Sequence, residues 1–598
     1  MIFNPLDKFY KSVIGAVSEN QRLIYRVKGE FGSVILRIKK DGEDYVNYKM
    51  NNKDGFYELQ RKVPIGLYFY HFLLENGSFI GLNDNYVGEI TNFPQDFQLT
   101  IYSNDYKVPE DMFGGLIYQI FPDRFFRSIE QRQVENGKTY HENWNDLPNI
   151  LPINGKILNN DFFGGDLKGI EQKLDYIKSL GTTHIYLNPI FKAYSNHRYD
   201  TGDYMQIDPL LGTEQDLVDL IKSAKEKGIK IILDGVFNHT GSDSVYFNKN
   251  GNYGSLGAYQ SKNSPYYAWY NFKDYPDDYE CWWGIQTLPS VIETNPDYVE
   301  FITGKDGVIE HYTKLGVEGW RLDVVDELPD FFVEKIRSTL RKINPNGVLI
   351  GEVWEDATNK IAYDTRKKYF LGNQLDSVMN YPLKKAIINY IKTCNVKDLS
   401  YVVKEQIDHY PKQSLDVLMN LLSTHDTFRI ISELANVDVA NYTKTEMANV
   451  VLTDEEYQDA VFKVKIATLL QFTLYGVPSI YYGDEIGMQG YKDPLNRQTF
   501  KWEMLDNEIC KWFKSLSKLR QEFTLFKNGE LQEIFAKDGC YVYKRFDEDS
   551  EIMVAINLNE KPIFFEFDGE LIDLIDNQVY LNELELQPKS FGVFVSNK

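Results

Sequence analysis

The sequence predicts an α/β fold: a (β/α)8 barrel of eight parallel strands with an inserted subdomain after the third, an N-terminal β-sandwich and a C-terminal all-β domain. Three observations predict it. From residue 115 to about 520, short apolar runs alternate with amphipathic helical stretches, and strand and helix in alternation build a parallel sheet. Eight of those runs qualify as strands, the number that closes such a barrel. On either side of this region the alternation gives way to β-type runs alone.

Residues 1–108 carry "SVILRIKK", "FYELQRKV" and "LYFYHFLLENG", separated by Gly, Asn and Asp turns, the pattern of a small antiparallel sandwich. The barrel is expected over 109–239 and 297–524. In "DLKGIEQKLDYIKSLG", Ile170, Leu174, Ile177 and Leu180 recur at helical spacing and Gly181 ends the helix. The next unit repeats the logic, with a capping-box pattern "TEQD" at 213–216, an apolar face of Leu217, Leu220, Ile221 and Ala224, and a stop at Gly228. The eight strand candidates are "GLIYQI" (115), "HIYLNPI" (184), "IKIILDG" (229), "EGWRLD" (318), "VLIGEV" (348), "LDSVMN" (375), "LMNLLS" (418) and "SIYYGDE" (479). The sixth is the thinnest, and a doubly wound open sheet is the alternative architecture. Residues 240–296, rich in Tyr, Asn, Gly and Trp, are too long for an ordinary connection and read as a small inserted subdomain. Residues 525–598, with "CYVYKRF", "EIMVAINL" and "SFGVFV", form the last β domain.

The 65 Lys and Arg against 87 Asp and Glu leave a net charge of -22 with no long basic block. Nucleic acid and anionic membrane surfaces are therefore excluded as partners. Cys281, Cys394, Cys510 and Cys540 lie far apart without CxxC spacing, so neither a disulfide frame nor a zinc site is expected. There is no basic segment followed by a long apolar run at the start and no apolar stretch of membrane-spanning length, so a cytoplasmic location is expected. Aromatic residues reach 15% of the chain; most will pack the core, and some are suited to stacking on the C–H faces of sugars.

The acids gather at strand ends: Asp234 after "IKIIL", Asp323 after "GWRL", Glu352 after "VLIG" and Asp426 after "LLSTH". In a barrel that end carries the active site, because several strands aim side chains at one point there. One such acid can simply cap the next helix; four on four strands point to chemistry. Two nearby carboxylates suit cleavage of an acetal, one protonating the leaving oxygen while the other, ionised, meets the oxocarbenium-like carbon. Arg321, two residues before Asp323 and so on the same face, is expected to keep Asp323 ionised, while Glu352 has no such partner in sequence and stays protonated.

With these motifs on view, the sequence resembles the α-amylase family of retaining glycoside hydrolases over roughly residues 110–520. "DGVFNH", "GWRLDVVDE", "GEVWEDA" and "STHDTFR" occur in the family's order, supported by "YQIFPDRF", "GGDLKGI", "NHRYDTGDY", "LPSVIETNP" and "GVPSIYYGDEIGM". The resemblance implies that Asp323 is the nucleophile, Glu352 the general acid/base and Asp426 the third carboxylate, which grips sugar hydroxyls. It also implies that Arg321, Asp234, His239 and His425 complete the subsite, with His197 and Tyr199 of "NHRYD" under the same ring. Trp354, two residues after Glu352, and one of Trp282 and Trp283, with Trp283 chosen, would meet sugars on the acceptor side.

The N-terminal domain resembles that of cyclomaltodextrinases, neopullulanases and maltogenic amylases, which implies an α-glucan oligosaccharide substrate and a homodimer through that domain, narrowing the cleft. "LPSVIETNP" departs from the subgroup's usual "MPKLN"-type segment, placing Ser290 where it has lysine. "FRSIEQRQVENG", after "FPDRF", is poor in the oxygen ligands of the family's calcium loop, so no cofactor or metal is expected to be required, calcium being the alternative, and Asn238 is expected to hydrogen-bond its loop. Alternative functions on the same residues are 4-α-glucan transfer and endo-acting α-amylase activity with an N-terminal starch-binding domain; an inactive scaffold and sucrose or trehalose chemistry fit the intact carboxylates and the N-terminal domain less well.

Overall fold

The computed structural model describes residues 1–129, 137–152 and 158–596. The chain divides into two compact units. Met1–Val108, Trp354–Leu418 and Asn528–Lys598 form the first, Pro109–Val353 and Met419–Lys527 the second.

In the first unit a seven-stranded and a three-stranded sheet make the N-terminal sandwich. Leu23–Lys28 and Val34–Lys40 bury alternate residues, as strands with one face in a core must. Tyr25, Tyr70, Phe72, Phe97 and Leu99 fill that core. The sandwich is tied to the helix Lys397–His409 by an ion pair between Lys11 and Asp408, both buried. The C-terminal domain is a six-stranded antiparallel sheet running from Glu530 to Ser596, with Val542, Ala555, Leu584 and Phe594 inside.

The second unit carries the barrel, a nearly closed parallel sheet that counts eight strands. Seven lie in this unit: Ile117–Ile120, His184–Leu187, Lys230–Gly235, Gly319–Leu322, Val348–Gly351, Met419–Leu421 and Val477–Tyr481. The candidate at 375 yields only Ser377–Val378. Helix Glu214–Glu226 starts on the expected box, Thr213 accepting from the Asp216 amide while the Asp216 carboxylate accepts from the Thr213 amide. Leu217, Leu220, Ile221 and Ala224 are its buried stripe, and Gly228, at φ 71°, turns the chain into the next strand. The stretch 167–180 corrects the single helix read from its period. It breaks at Lys173 into Leu167–Gln172 and Leu174–Ser179, and the Lys173 ammonium lies 3.9 Å from the Phe126 ring centre and 4.3 Å from that of Trp502. Within 240–296, Phe247 packs 4.9 Å from Tyr270 and 4.7 Å from Tyr279, so much of the aromatic content of this segment is its own core.

Candidate active site

Strand register brings the acids together. Asp234 pairs with Arg321 on the neighbouring strand, and the ladder runs on beyond it, the Asp323 amide donating to the Gly235 carbonyl and the Glu352 amide to the Leu322 carbonyl, both at 3.1 Å. Arg321 and Asp323, two residues apart, point to one side. The Arg321 guanidinium is fully buried and clasps three carboxylates: Nη1 lies 2.8 Å from Asp234 Oδ1 and 2.7 Å from Asp323 Oδ1, and Nη2 lies 2.9 Å from Glu352 Oε2.

That geometry corrects the expectation that Arg321 serves Asp323 alone while Glu352 stands apart. Burial pushes the Asp323 carboxyl well above the usual range, and Glu352 and Asp234 add to the rise against the pull of Arg321. Burial also raises Asp234, opposed by Arg321, Tyr186 and Tyr199. Asp323 and Asp234, both raised and both on this guanidinium, influence each other's ionisation and titrate as a pair. Val324, next in the chain, sits at φ 40°, ψ 48°, a left-handed conformation that costs a β-branched residue on the order of 1–3 kcal/mol. In that conformation its amide donates to Glu352 Oε2 at 2.8 Å.

A second group adjoins the first through Tyr199, whose hydroxyl donates to Asp234 Oδ2 at 2.7 Å and lies 2.6 Å from His425 Nε2. Tyr186 donates to the same Asp234 oxygen at 2.6 Å. His425 Nε2 is also 3.0 Å from Asp426 Oδ2, and Arg497 reaches Asp426 Oδ1 at 3.3 Å. The Asp426 side chain is 37% exposed against 10% for Asp323 and 8% for Glu352, which puts it on the solvent side of the cluster.

The remaining expected residues take different places. His197 accepts the Tyr199 amide at Nδ1, 3.1 Å away, and burial lowers its pKa to about 3. His239 is buried with Nε2 3.1 Å from the Tyr199 carbonyl, so it holds the Tyr199 backbone. Trp283 is 79% exposed at φ 49°, and both its indole and that of Trp282 donate to Glu327 Oε1 at 3.0 Å. Trp354 belongs to the first unit, where it stacks on Tyr381 with centroids 3.8 Å apart and planes at 10°.

Gln119 and Asn188, whose amide nitrogens lie 3.1 and 3.2 Å from His425 Nδ1, join Tyr186, Glu327 and Arg497 as site residues that the sequence motifs do not single out. Gln119 and Tyr186 lie near the C-terminal ends of barrel strands and Asn188 just past one, so the rule applied to the acids, extended to uncharged polar groups, would have found them. Arg497 follows the last strand by a long loop and carries no such mark.

Of the calcium-loop stretch 126–137, residues 130–136 lie outside the described residues. Next to it, Asp166 accepts from the Ser128 hydroxyl and amide and from the Gly169 amide, the duties of a helix cap. Asn238 donates to Glu293 at 3.1 Å, bonding its loop as expected. In the first unit Asp356, Glu405 and His409 bring donor atoms within 4.8 Å of one another. Asp356, however, already bonds His409 Nδ1 at 2.6 Å and accepts from Thr358 and Asn359, as a structural ion pair does.

Residues 119–522 match the family model described as α-amylase, catalytic domain. An amylopullulanase from Thermoanaerobacter thermohydrosulfuricus is 36% identical over 607 residues, 90% of this chain and 40% of that protein. A cyclomaltodextrinase from Thermoanaerobacter pseudethanolicus is 31% identical over 492 residues, 81% of this chain and 77% of that one. Among solved structures, the type III pullulan hydrolase from Thermococcus kodakarensis aligns over 99% of this chain and 100% of its own, with a TM-score of 0.71 and 25% identity. The chain spans less than half the length of the amylopullulanase.

Proposed function

We propose that this chain, which belongs to the α-amylase family, hydrolyses α-1,4-glucosidic bonds in maltooligosaccharides, cyclodextrins and related starch-derived glucans, with retention, through a covalent glycosyl-enzyme intermediate. The observation that carries the reading is the pair Asp323 and Glu352 held by one guanidinium. Retention uses carboxyl groups about 5–5.5 Å apart, whereas inversion needs room for a water between them, and two carboxyl groups that share one guanidinium favour the narrower arrangement. Glu352 gives its proton to the glycosidic oxygen as an Asp323 oxygen bonds to the anomeric carbon and the leaving sugar departs. Glu352 then takes a proton from water, whose oxygen displaces Asp323. Asp426 and His425 would grip hydroxyls of the same sugar, and exposed Trp283 would meet sugars on the leaving side.

The test is a product profile on maltotriose, maltoheptaose, β-cyclodextrin, pullulan and soluble starch. Activity on maltoheptaose or β-cyclodextrin is expected to exceed that on starch by about tenfold in kcat/KM, roughly 1.4 kcal/mol in transition-state binding. Equal or better activity on starch favours an endo-acting α-amylase. The similarity to an amylopullulanase over 90% of the chain favours a second reading in which pullulan is also cut, and the pullulan arm decides it.

Glu352→Gln separates two substrates. An activated aryl leaving group needs little protonation, so the loss on an aryl maltoside is expected to be at least about tenfold smaller than on maltotriose. Equal losses on both remove Glu352 from the acid role.

No cofactor enters this chemistry. The cap duties of Asp166 and the loop bond of Asn238 support that reading, and EDTA is expected to move the melting temperature by no more than about two degrees. A drop near ten degrees that calcium reverses establishes a bound cation. No helix among the described residues is long and apolar enough to cross a membrane. The four free cysteines support a reducing, cytoplasmic setting. Assembly as a dimer through the N-terminal domain completes the reading, and a mass measurement in solution tests it.

A further inference from the structure

We infer that Gln119 and Asn188 are positioning residues, which fix the His425 imidazole as the neutral tautomer protonated on Nε2 and so aim one N–H at Asp426 and Tyr199. Two amide nitrogens converge on the other ring nitrogen: Gln119 Nε2 is 3.1 Å and Asn188 Nδ2 3.2 Å from His425 Nδ1. A nitrogen that receives N–H donors offers a lone pair, so it carries no proton.

The order of the amides is set by their mutual contact, Gln119 Nε2 donating to Asn188 Oδ1 at 3.1 Å, and by Asn188 Nδ2 donating to the Tyr199 hydroxyl at 3.0 Å. Reversing both would turn the Gln119 NH2 to the buried position where its Oε1 finds no partner among the described residues. An orphaned NH2 is costlier than an orphaned carbonyl oxygen. The far side of the ring agrees. The Tyr199 hydroxyl already gives its proton to Asp234, so across the 2.6 Å contact with His425 Nε2 the imidazole is the donor.

The groups facing His425 favour a neutral ring. Burial and then the Arg497 and Arg321 charges hold its pKa well below the ordinary value, with His197 acting the same way and Asp493 opposing. Asp426 at 3.0 Å is the one carboxylate within ion-pair distance of the ring among the described residues. Its more exposed position lets water screen it, which leaves the burial cost dominant.

A neutral ring with a fixed N–H has a use at this place. It restrains Asp426 without drawing a proton from it, and keeps Tyr199 turned toward Asp234 and the Arg321 clasp. This last step rests on the function proposed above, whereas the tautomer does not.

The test is a long-range proton–nitrogen NMR correlation on protein labelled with nitrogen-15 histidine, the His425 signals assigned by their loss in His425→Asn. The expected spectrum shows Nδ1 bare and Nε2 protonated, unchanged between about pH 5 and pH 8, where an ordinary histidine titrates. Gln119→Glu puts an acceptor at Nδ1. It is expected to move a proton there and to add an ionisation in that range to the kcat/KM profile. Gln119→Met, which removes one donor without adding an acceptor, is expected to cost about tenfold in kcat/KM without that new ionisation. A wild-type spectrum with Nδ1 protonated overturns the inference without recourse to any variant, as does a Gln119→Glu protein whose tautomer and pH profile match the parent. Absence of glucan hydrolysis beside a protonated Nε2 overturns the function and leaves the tautomer standing.

Discussion

Asp323→Asn is expected to remove nearly all turnover, by about four powers of ten or more, because an amide cannot form the glycosyl ester. The fold should survive. Asn fills the same volume, and its carbonyl oxygen can still accept from Arg321 Nη1, now 2.7 Å from the carboxylate. The stability effect has a definite sign. Burial raises the Asp323 pKa in the native state, so its contribution to stability is fully present below the unfolded carboxylate pKa and is lost as the pH rises through the native value. The Asn variant has no such loss. Its melting temperature relative to wild type is therefore expected to climb as the pH is raised, even though it is inactive throughout. Residual activity within about tenfold of the parent, in a preparation free of wild-type enzyme, takes Asp323 out of the nucleophile role.

The strand ends were legible because the acids that matter follow short apolar runs, and Asp234, Asp323 and Glu352 do meet where those runs stop. What the sequence could not show was which neighbour each strand would face. The Arg321–Glu352 contact depends on the pairing of Arg321 with Ile350 and of Leu322 with Gly351, a register fixed by packing across the barrel. The two-residue period behind the expected shared direction of Glu352 and Trp354 belongs to a strand that ends at Gly351, before either residue. Lys173 makes the same point for helices. Its neighbours recur with an unbroken helical period, yet a backbone at φ -103°, ψ 7° divides the helix, next to an ammonium that finds two aromatic rings from outside it. Gln119 and Asn188 stand at readable positions but carry no charge, and their importance lies in a ring nitrogen supplied by a residue 306 and 237 positions away from them in the chain.

Withdrawing the guanidinium is expected to cost activity nearly as heavily as removing the nucleophile, and to damage stability as well. Arg321→Met leaves Asp234, Asp323 and Glu352 around an apolar side chain. Removing one partner of a buried ion pair costs about 3–5 kcal/mol, since it abandons an uncompensated charge. Here three acids lose the same partner, and Asp323 and Asp234, already raised by burial, respond by binding protons. With Arg321 gone the one opposing charge on Asp323 and Asp234 is lost, so their native pKa values rise further. A carboxyl raised in this way stabilises the fold at low pH and forfeits that stability as the pH rises. The variant is therefore expected to melt close to wild type in acid and well below it at neutral and alkaline pH, a gap that widens steadily with pH. Activity should fall by about three powers of ten or more at every pH. Low pH restores the fold by protonating Asp323, and a protonated carboxyl cannot attack; high pH ionises it only at the cost of the fold. Arg321→Lys keeps one charge but not the two-nitrogen fork, so it should recover much of the melting temperature at neutral pH and stay at least about a hundredfold below wild type in kcat/KM. An Arg321→Met protein that melts in parallel with wild type across the pH range would show that the three carboxylates do not depend on the guanidinium. One that retains activity within about tenfold would show that sharing it plays no part in the chemistry.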